Sequence, residues 1–261
     1  MTNQMPVLVD LDPAAFETLP CCGIANPVHP GRCHKLRWLK TQWKRGLRAK
    51  LLIAPDGRQC GYIEYLPGEY AWRGVDAAGY LFIHCIFTYR KQYQHQGCGA
   101  ILIQSCLAEA KRAGMLGVAV VARERPWLAA PAIFLANGFE PVDTAPPDYQ
   151  LLVRKLDPSA ANPSFQKDWE ARLKQYSHGF TIVQSRQCPH IAKFADEIAA
   201  AAEHDYGLQP RIVTLRTHRE AQNAPTPYAV FAIIQDGRIL ADHPISLTRF
   251  RNIMRERATR R

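Results

Sequence analysis

The chain of 261 residues has no apolar run near the ~20 residues that a membrane span needs. Its N-terminus lacks the basic-then-apolar pattern of a secretory signal. The sequence therefore predicts a soluble, cytoplasmic protein without a membrane partner. Eight cysteines are present, at 21, 22, 33, 60, 85, 98, 106 and 188, yet no two stand as Cys-x-x-Cys. Without a secretory signal a disulfide framework is not expected. Cys60, Cys85 and Cys106 sit inside apolar patterns and read as small core residues. Cys21, Cys22, His29, Cys33 and His34 crowd into 14 residues, but their spacing is not that of a structural zinc site. The expectation is a loop shaped by Pro and Gly near a substrate entrance, and no metal.

Charge is abundant but uneven. The formal net charge is +10. Eight Lys and Arg and no acid lie between Arg32 and Lys50, and the stretch from Arg249 to Arg261 adds a net five, leaving the remainder at −3. Such surfaces attract polyanions. Nothing besides charge, neither a recognition helix nor an RNA-binding signature, supports a nucleic-acid partner.

The chain is organised around one stretch. Gly79 to Thr88 is β-branched and aromatic, as a buried strand should be. Leu102, Ile103, Cys106, Leu107 and Ala110 follow at helical spacing. Between them lies Gln94-His95-Gln96-Gly97-Cys98-Gly99-Ala100. Glycines there allow close approach of a ligand, and the N–H groups of a first helical turn aim at an anion. A strand at Gly117–Val121, a helix from about Trp127 to Asn137 and a strand at Tyr149–Lys155 complete this part. Before it come a strand at Val7–Leu11, a basic amphipathic helix with Lys35, Lys40, Lys44 and Arg45 outward, and a hairpin of 50–54 with 59–66 across Pro55-Asp56-Gly57.

Asp157 to Pro163 reads as a linker, and Phe165, Trp169 and Leu173 mark a helix after it. A second unit begins at Gly179. It holds a strand at 180–185, a helix opened by Cys188-Pro189-His190, a strand at 211–215, a short helix at 217–223, a hairpin turned by Asp236-Gly237, and a last helix capped by Ser246. The expected organisation is residues 1–156, a linker with its helix at 157–178, and residues 179–261.

The run Gln-x-x-Gly-x-Gly-Ala, with Phe134 to Phe139 ending the later helix, resembles the GNAT N-acetyltransferase family over about residues 5–156. The resemblance implies an α/β fold with a mixed sheet and acetyl-CoA as donor. Its pyrophosphate would lie on Gln94, His95, Gln96, Gly97, Cys98, Gly99 and Ala100, and backbone N–H groups near Ile86, Phe87 and Thr88 would polarise the carbonyl. The acetyl group would pass directly to a neutral amine on a small molecule or peptide. Candidate bases are Glu69 and His84, with Glu64 as a further one, and Glu64, Tyr70, Trp72 and Arg73 are candidates for the acceptor pocket. The family's proton-donating Tyr is replaced here by Phe134, which leaves either another donor, with Tyr149, Tyr70 and Cys98 as candidates, or water to protonate the leaving CoA.

The order of the second unit, with Cys-Pro at its first helix and Thr226-Pro227 before the hairpin, resembles thioredoxin. That resemblance implies a cis bond at Pro227. The second redox cysteine is absent, so dithiol chemistry is not expected, and Cys188 is a candidate lone thiol. The fused pair is similar to the YoaP-like acetyltransferases at 68–73, 82–86 and 144–148. The alternative function is a thiol-dependent redox or sulfur-handling protein that uses Cys188, with the first unit only binding CoA.

Overall fold

A computed structural model describes residues 5–14, 16, 22, 24, 26–89, 91–94, 96–124 and 126–259. The chain divides into two compact units, one of residues 1–27, 36–71 and 75–165, the other of residues 28–35, 72–74 and 166–261.

In the first unit seven strands form one sheet in the order β1-β2-β3-β5-β6-β8-β7. They are β1 (Val7–Leu11), β2 (Arg48–Ile53), β3 (Gln59–Pro67), β5 (Tyr80–Thr88), β6 (Gly117–Ala122), β7 (Glu140–Ala145) and β8 (Tyr149–Lys155). Only β5 and β6 pair in parallel, and every other neighbour is antiparallel. Helix α2 (Cys98–Arg112) is the crossover between them and buries Leu102, Ile103, Cys106, Leu107 and Ala110. Those side chains pack with Ile63, Tyr65, Leu81, Ile83, Val118, Val120 and Leu152 into the main core. The i, i+4 spacing of the helix thus meets the i, i+2 spacing of three strands on one face of the sheet. Helix α1 (Pro30–Trp43) supplies Trp38, whose ring lies 5.9 Å from that of His84, so His84 points to the opposite face. Lys35 is 1 % exposed rather than outward. Charge pattern alone could not show that the helix is covered on that side.

Two helices differ from expectation. The one foreseen from Trp127 is only α3 (Pro131–Leu135). Ala130 is extended before Pro131, which opens the helix, and Trp127 has φ 78°. Phe165 is not helical either. It lies in the two-residue strand β9 (Ser164–Phe165), paired with β4 (Val75–Asp76), and α4 (Trp169–Leu173) starts only after Asp168 at φ 61°.

The second unit has a four-stranded sheet in the order β11-β10-β12-β13. These strands are β10 (Phe180–Ser185), β11 (Pro210–Leu215), β12 (Phe231–Gln235) and β13 (Arg238–Ala241). β10 and β11 are parallel, joined by α5 (Ile191–Tyr206), and the other pairs are antiparallel. The short helix α6 (His218–Gln222) is capped by the Thr217 hydroxyl, and α7 (Leu247–Ala258) by that of Ser246. The bond before Pro227 is not cis. Among the described residues the one cis peptide joins Pro146 to Pro147. No helix among the described residues is long and apolar enough to cross a membrane.

Candidate active site

The parallel ladder between β5 and β6 is short. It runs from Tyr80 opposite Gly117 to Ile83 opposite Val120 and then stops, although β5 continues to Thr88 and β6 to Ala122. On its other edge β5 stays paired with β3 as far as Thr88 opposite Gly61. The strands therefore part like a wedge, and the edge of β5 from His84 onward has no β6 partner.

The register gives the cause. Tyr65 faces Ile83 and Glu64 faces Cys85, so His84 is an extra residue on β5. A bulge of this kind bends and twists its strand, which carries β5 away from β6. It also turns His84 and Cys85 to the same face, opposite the α2 core that receives Ile83 and Ile86.

On that face the walls of the wedge are polar. Glu64 is fully buried, and the Tyr62 hydroxyl donates to its Oε2 at 2.5 Å. His84 is 3 % exposed, between the rings of Phe82 and Trp38. Across the opening, Arg123 follows the last residue of β6. Its guanidinium donates to the Tyr149 hydroxyl at 2.6 Å and meets Asp148 at 2.5 Å, with its carbon 4.2 Å from the Tyr149 ring centre. Sequence reading had marked Tyr149 but missed Tyr62, Arg123 and Asp148. The alternation of β3 would have placed Tyr62 beside Glu64.

Beyond Thr88 the chain makes a 3-10 turn at Lys91–Tyr93 and enters α2 through Gly97. Gly97 has φ 76° and ψ 0°, and no side chain caps the helix. A Cβ on Gly97 would meet nothing within 4 Å, so the space before the helix is open. Gly99 is a glycine for another reason: a Cβ there would stand 2.2 Å from Cδ1 of Ile133, so it serves the packing of α3. Gln94, Gln96 and Gly97 are exposed, Ala100 is half-buried and Cys98 is buried against Cys60. His95 and Cys21 lie outside the described residues.

Within the first unit, Glu69 and Tyr70 are not brought to the wedge. Glu69 is exposed and Tyr70 half-buried in a 3-10 turn after β3, at the Leu81 end of β5 rather than the Thr88 end. Trp72 and Arg73 belong to the second unit, where Arg73 stacks 4.9 Å from the Tyr228 ring centre. Cys188 is also in the second unit, half-buried in the turn before α5. Phe134 is fully buried against Phe139 and carries no proton to give. Among the described residues no group of three or more His, Cys, Asp or Glu is placed to hold a metal ion.

The fold and the wedge define an α/β protein whose mixed sheet opens beside an uncapped helix N-terminus. No family model matches the chain. Among solved structures it is similar to the GNAT-family N-acetyltransferase YhbS of Escherichia coli in complex with CoA, at 13 % identity and a TM-score of 0.41, covering 62 % of this chain and 90 % of that one. It is also similar to yncA of Salmonella typhimurium, solved with its cofactor acetyl-CoA, at 16 % identity and a TM-score of 0.46 over 60 % of this chain and 98 % of that one. In sequence it is similar to YoaP of Bacillus subtilis strain 168, described as an uncharacterized N-acetyltransferase. They share 28 % identity over 240 residues, which is 90 % of this chain and 92 % of the relative.

Proposed function

We propose that the chain is an acetyl-CoA-dependent N-acetyltransferase that passes the acetyl group directly to an amine. One observation carries this reading: the opening of β5 from β6 and the uncapped start of α2 lie at the same end of the sheet. The likeness to YoaP over nine-tenths of the chain supports it. The first-turn N–H groups of α2 and the left-handed turn at Gly97 suit a pyrophosphate. The edge of β5 around Ile86, Phe87 and Thr88 offers backbone N–H groups without a β6 partner, suited to polarising a thioester carbonyl in the wedge.

In the transfer the amine nitrogen bonds to the carbonyl carbon, the carbon–sulfur bond breaks, and the amine proton must leave. Glu64 and His84 are our candidates for receiving that proton, because both line the acceptor-side face beside the bulge. Phe134 cannot protonate the leaving thiolate. Tyr149, next to the residue that pairs with the last of β6, is our candidate for that proton, its hydroxyl oxygen accepting from Arg123 at 2.6 Å.

We also read the second unit as thioredoxin-like. Its strand order and directions support this, with α5 between the parallel pair, whereas the trans bond at Pro227 is a departure. Seven cysteines among the described residues, none of them in a disulfide, accord with a cytoplasmic setting.

The test is to incubate the full chain and acetyl-CoA with panels of peptides, polyamines, aminoglycosides and small thiol-bearing amines. Acetylated product and released CoA are read by mass spectrometry. A folded protein that binds no CoA by calorimetry would defeat the proposal.

A further inference from the structure

The second unit carries a pocket of its own. A cavity of about 90 Å³, partly open to solvent, is lined by Gly31 and His34 of α1 and by Ser185, Arg186, Cys188 and Asp196, all within that unit. That is room for one small polar group such as a carboxylate or a phosphate, not for a whole drug-sized ligand.

Three features give the pocket its sign. The first is the start of α5, a helix of 16 residues whose N-cap residue His190 makes no side-chain capping bond. Its Ile191 N–H goes to the Cys188 carbonyl at 3.3 Å, but the following first-turn N–H groups have no acceptor within the helix, and Ala192 itself lines the pocket. The positive end of the helix dipole points the same way. The second is Arg186, exposed on the wall with no ion pair or hydrogen bond among the described residues. The third is Ser185, only 2 % exposed, whose oxygen accepts from the Gln187 N–H at 3.3 Å. Its hydroxyl proton has no acceptor among the described residues. Because Ser185 lines the pocket, that proton is free to be donated to a group held in it.

The start of α1 adds to this field. A Cβ on Gly31 would stand 1.9 Å from the Pro189 carbonyl oxygen, so only glycine lets the two helix starts approach. Two N–H groups at the start of α1 are already taken, that of Gly31 by His29 Nδ1 at 3.1 Å and that of Cys33 by the His29 carbonyl at 3.0 Å. Asp196 is the opposing charge on the wall. It lies five residues into α5, ~7.5 Å of helical rise beyond Ile191, which leaves the helix start to Arg186 and Ser185.

We propose that this pocket binds a small molecule through an oxyanion, a carboxylate or phosphate group held by Arg186, the Ser185 hydroxyl and the first-turn N–H groups of α5, beside the thiol of Cys188. Iodoacetate and iodoacetamide test this in the full-length protein, because they share one alkylation chemistry and differ in charge. At Cys188, followed by peptide mass spectrometry, iodoacetate should gain at least threefold over iodoacetamide relative to the urea-unfolded chain. Inorganic phosphate or acetate should slow it, and whichever protects at the lower concentration identifies the group. Arg186→Ala should return the ratio to the unfolded value, and Asp196→Asn should raise it. A ratio equal to that of the unfolded chain, or one indifferent to Arg186→Ala, overturns the proposal. Calorimetry with phosphate and with acetate does not depend on thiol access. Saturable binding lost in Arg186→Ala supports the site, and no saturable binding of either anion in the millimolar range overturns it. Neither readout involves acetyl transfer, so this site and the acetyltransferase reading stand or fall separately.

Discussion

Gly97 offers the cleanest perturbation of the proposed pyrophosphate site. Its φ of 76° lies in the left-handed region, and a Cβ added there meets no atom within 4 Å. Gly97→Ala therefore introduces no clash, and its whole cost is that of holding an L-residue left-handed, about 1–2 kcal/mol. If the turn keeps its shape, that cost appears as stability, roughly 2–4 °C in Tm per kcal/mol for a chain of this class. If the turn relaxes instead, the first N–H groups of α2 rotate off their target and the cost appears in CoA binding, where about 1.4 kcal/mol is a factor of ten. Gly97→Asn should recover most of either loss, since Asn tolerates this conformation. Gly99→Val is a poorer probe, because its Cβ would stand 2.2 Å from Ile133 and disturb packing with or without ligand. Calorimetric titration of CoA into wild type, Gly97→Ala and Gly97→Asn, beside thermal melts, decides the matter. We expect affinity to fall by up to about tenfold for Ala and to return within a few fold for Asn. A Gly97→Ala protein with both Tm and CoA affinity unchanged would refute the reasoning, since holding an L-residue left-handed at this turn would then cost nothing.

Three further outcomes are expected. Glu64→Gln keeps the size of the buried group beside Tyr62, so a role as base predicts a loss in kcat of about 10²-fold or more in a folded protein. A loss below threefold would transfer the role to His84. Burial and the neighbouring Cys98 push the Cys60 thiol up to about 11, so roughly one in a thousand is thiolate at pH 8. Cys60 should resist alkylation until the chain unfolds, and labelling as fast as at half-buried Cys33 would count against the packing described. Asp205 is held below the usual carboxylate range by hydrogen bonds from His204 and Arg251. Its contribution to stability is complete above its unfolded pKa near ~3.9 and fades as pH falls through the lower folded value. Arg251→Ala should flatten the acid side of the Tm profile, and melts across that range that match wild type would contradict this.

Much of the first unit was legible in the sequence, because its long elements announce themselves by period. α2 buries the five residues that helical spacing selected, and β5 and β8 fall where their apolar runs lie. What was not legible depends on neighbours distant in the chain. The bulge at His84 exists only relative to β3, and nothing in Phe82 to Ile86 alone marks the extra residue. Lys35 looks outward in a helical projection and is buried. Glu64 and Glu69 stand five residues apart and look alike as candidates in the sequence, yet Glu64 lies with Tyr62 beside the wedge, whereas Glu69 lies past the other end of β3. Trp127 and Pro131 did carry a local signal, since the residue before a proline avoids the helical region, and the shorter α3 could have been foreseen.

The extra residue on β5 also bears on how this protein could be improved or lost. Deleting His84 would bring Ile83 and Cys85 into consecutive register and let β5 zip onward along β6, adding ladder hydrogen bonds where there is now an opening. The shortened chain would be the more regular sheet and, by the same stroke, would lose the opening in which we propose the thioester is held. Selection for stability alone would favour that deletion, and its failure to win would measure, in one residue of length, what function costs this fold.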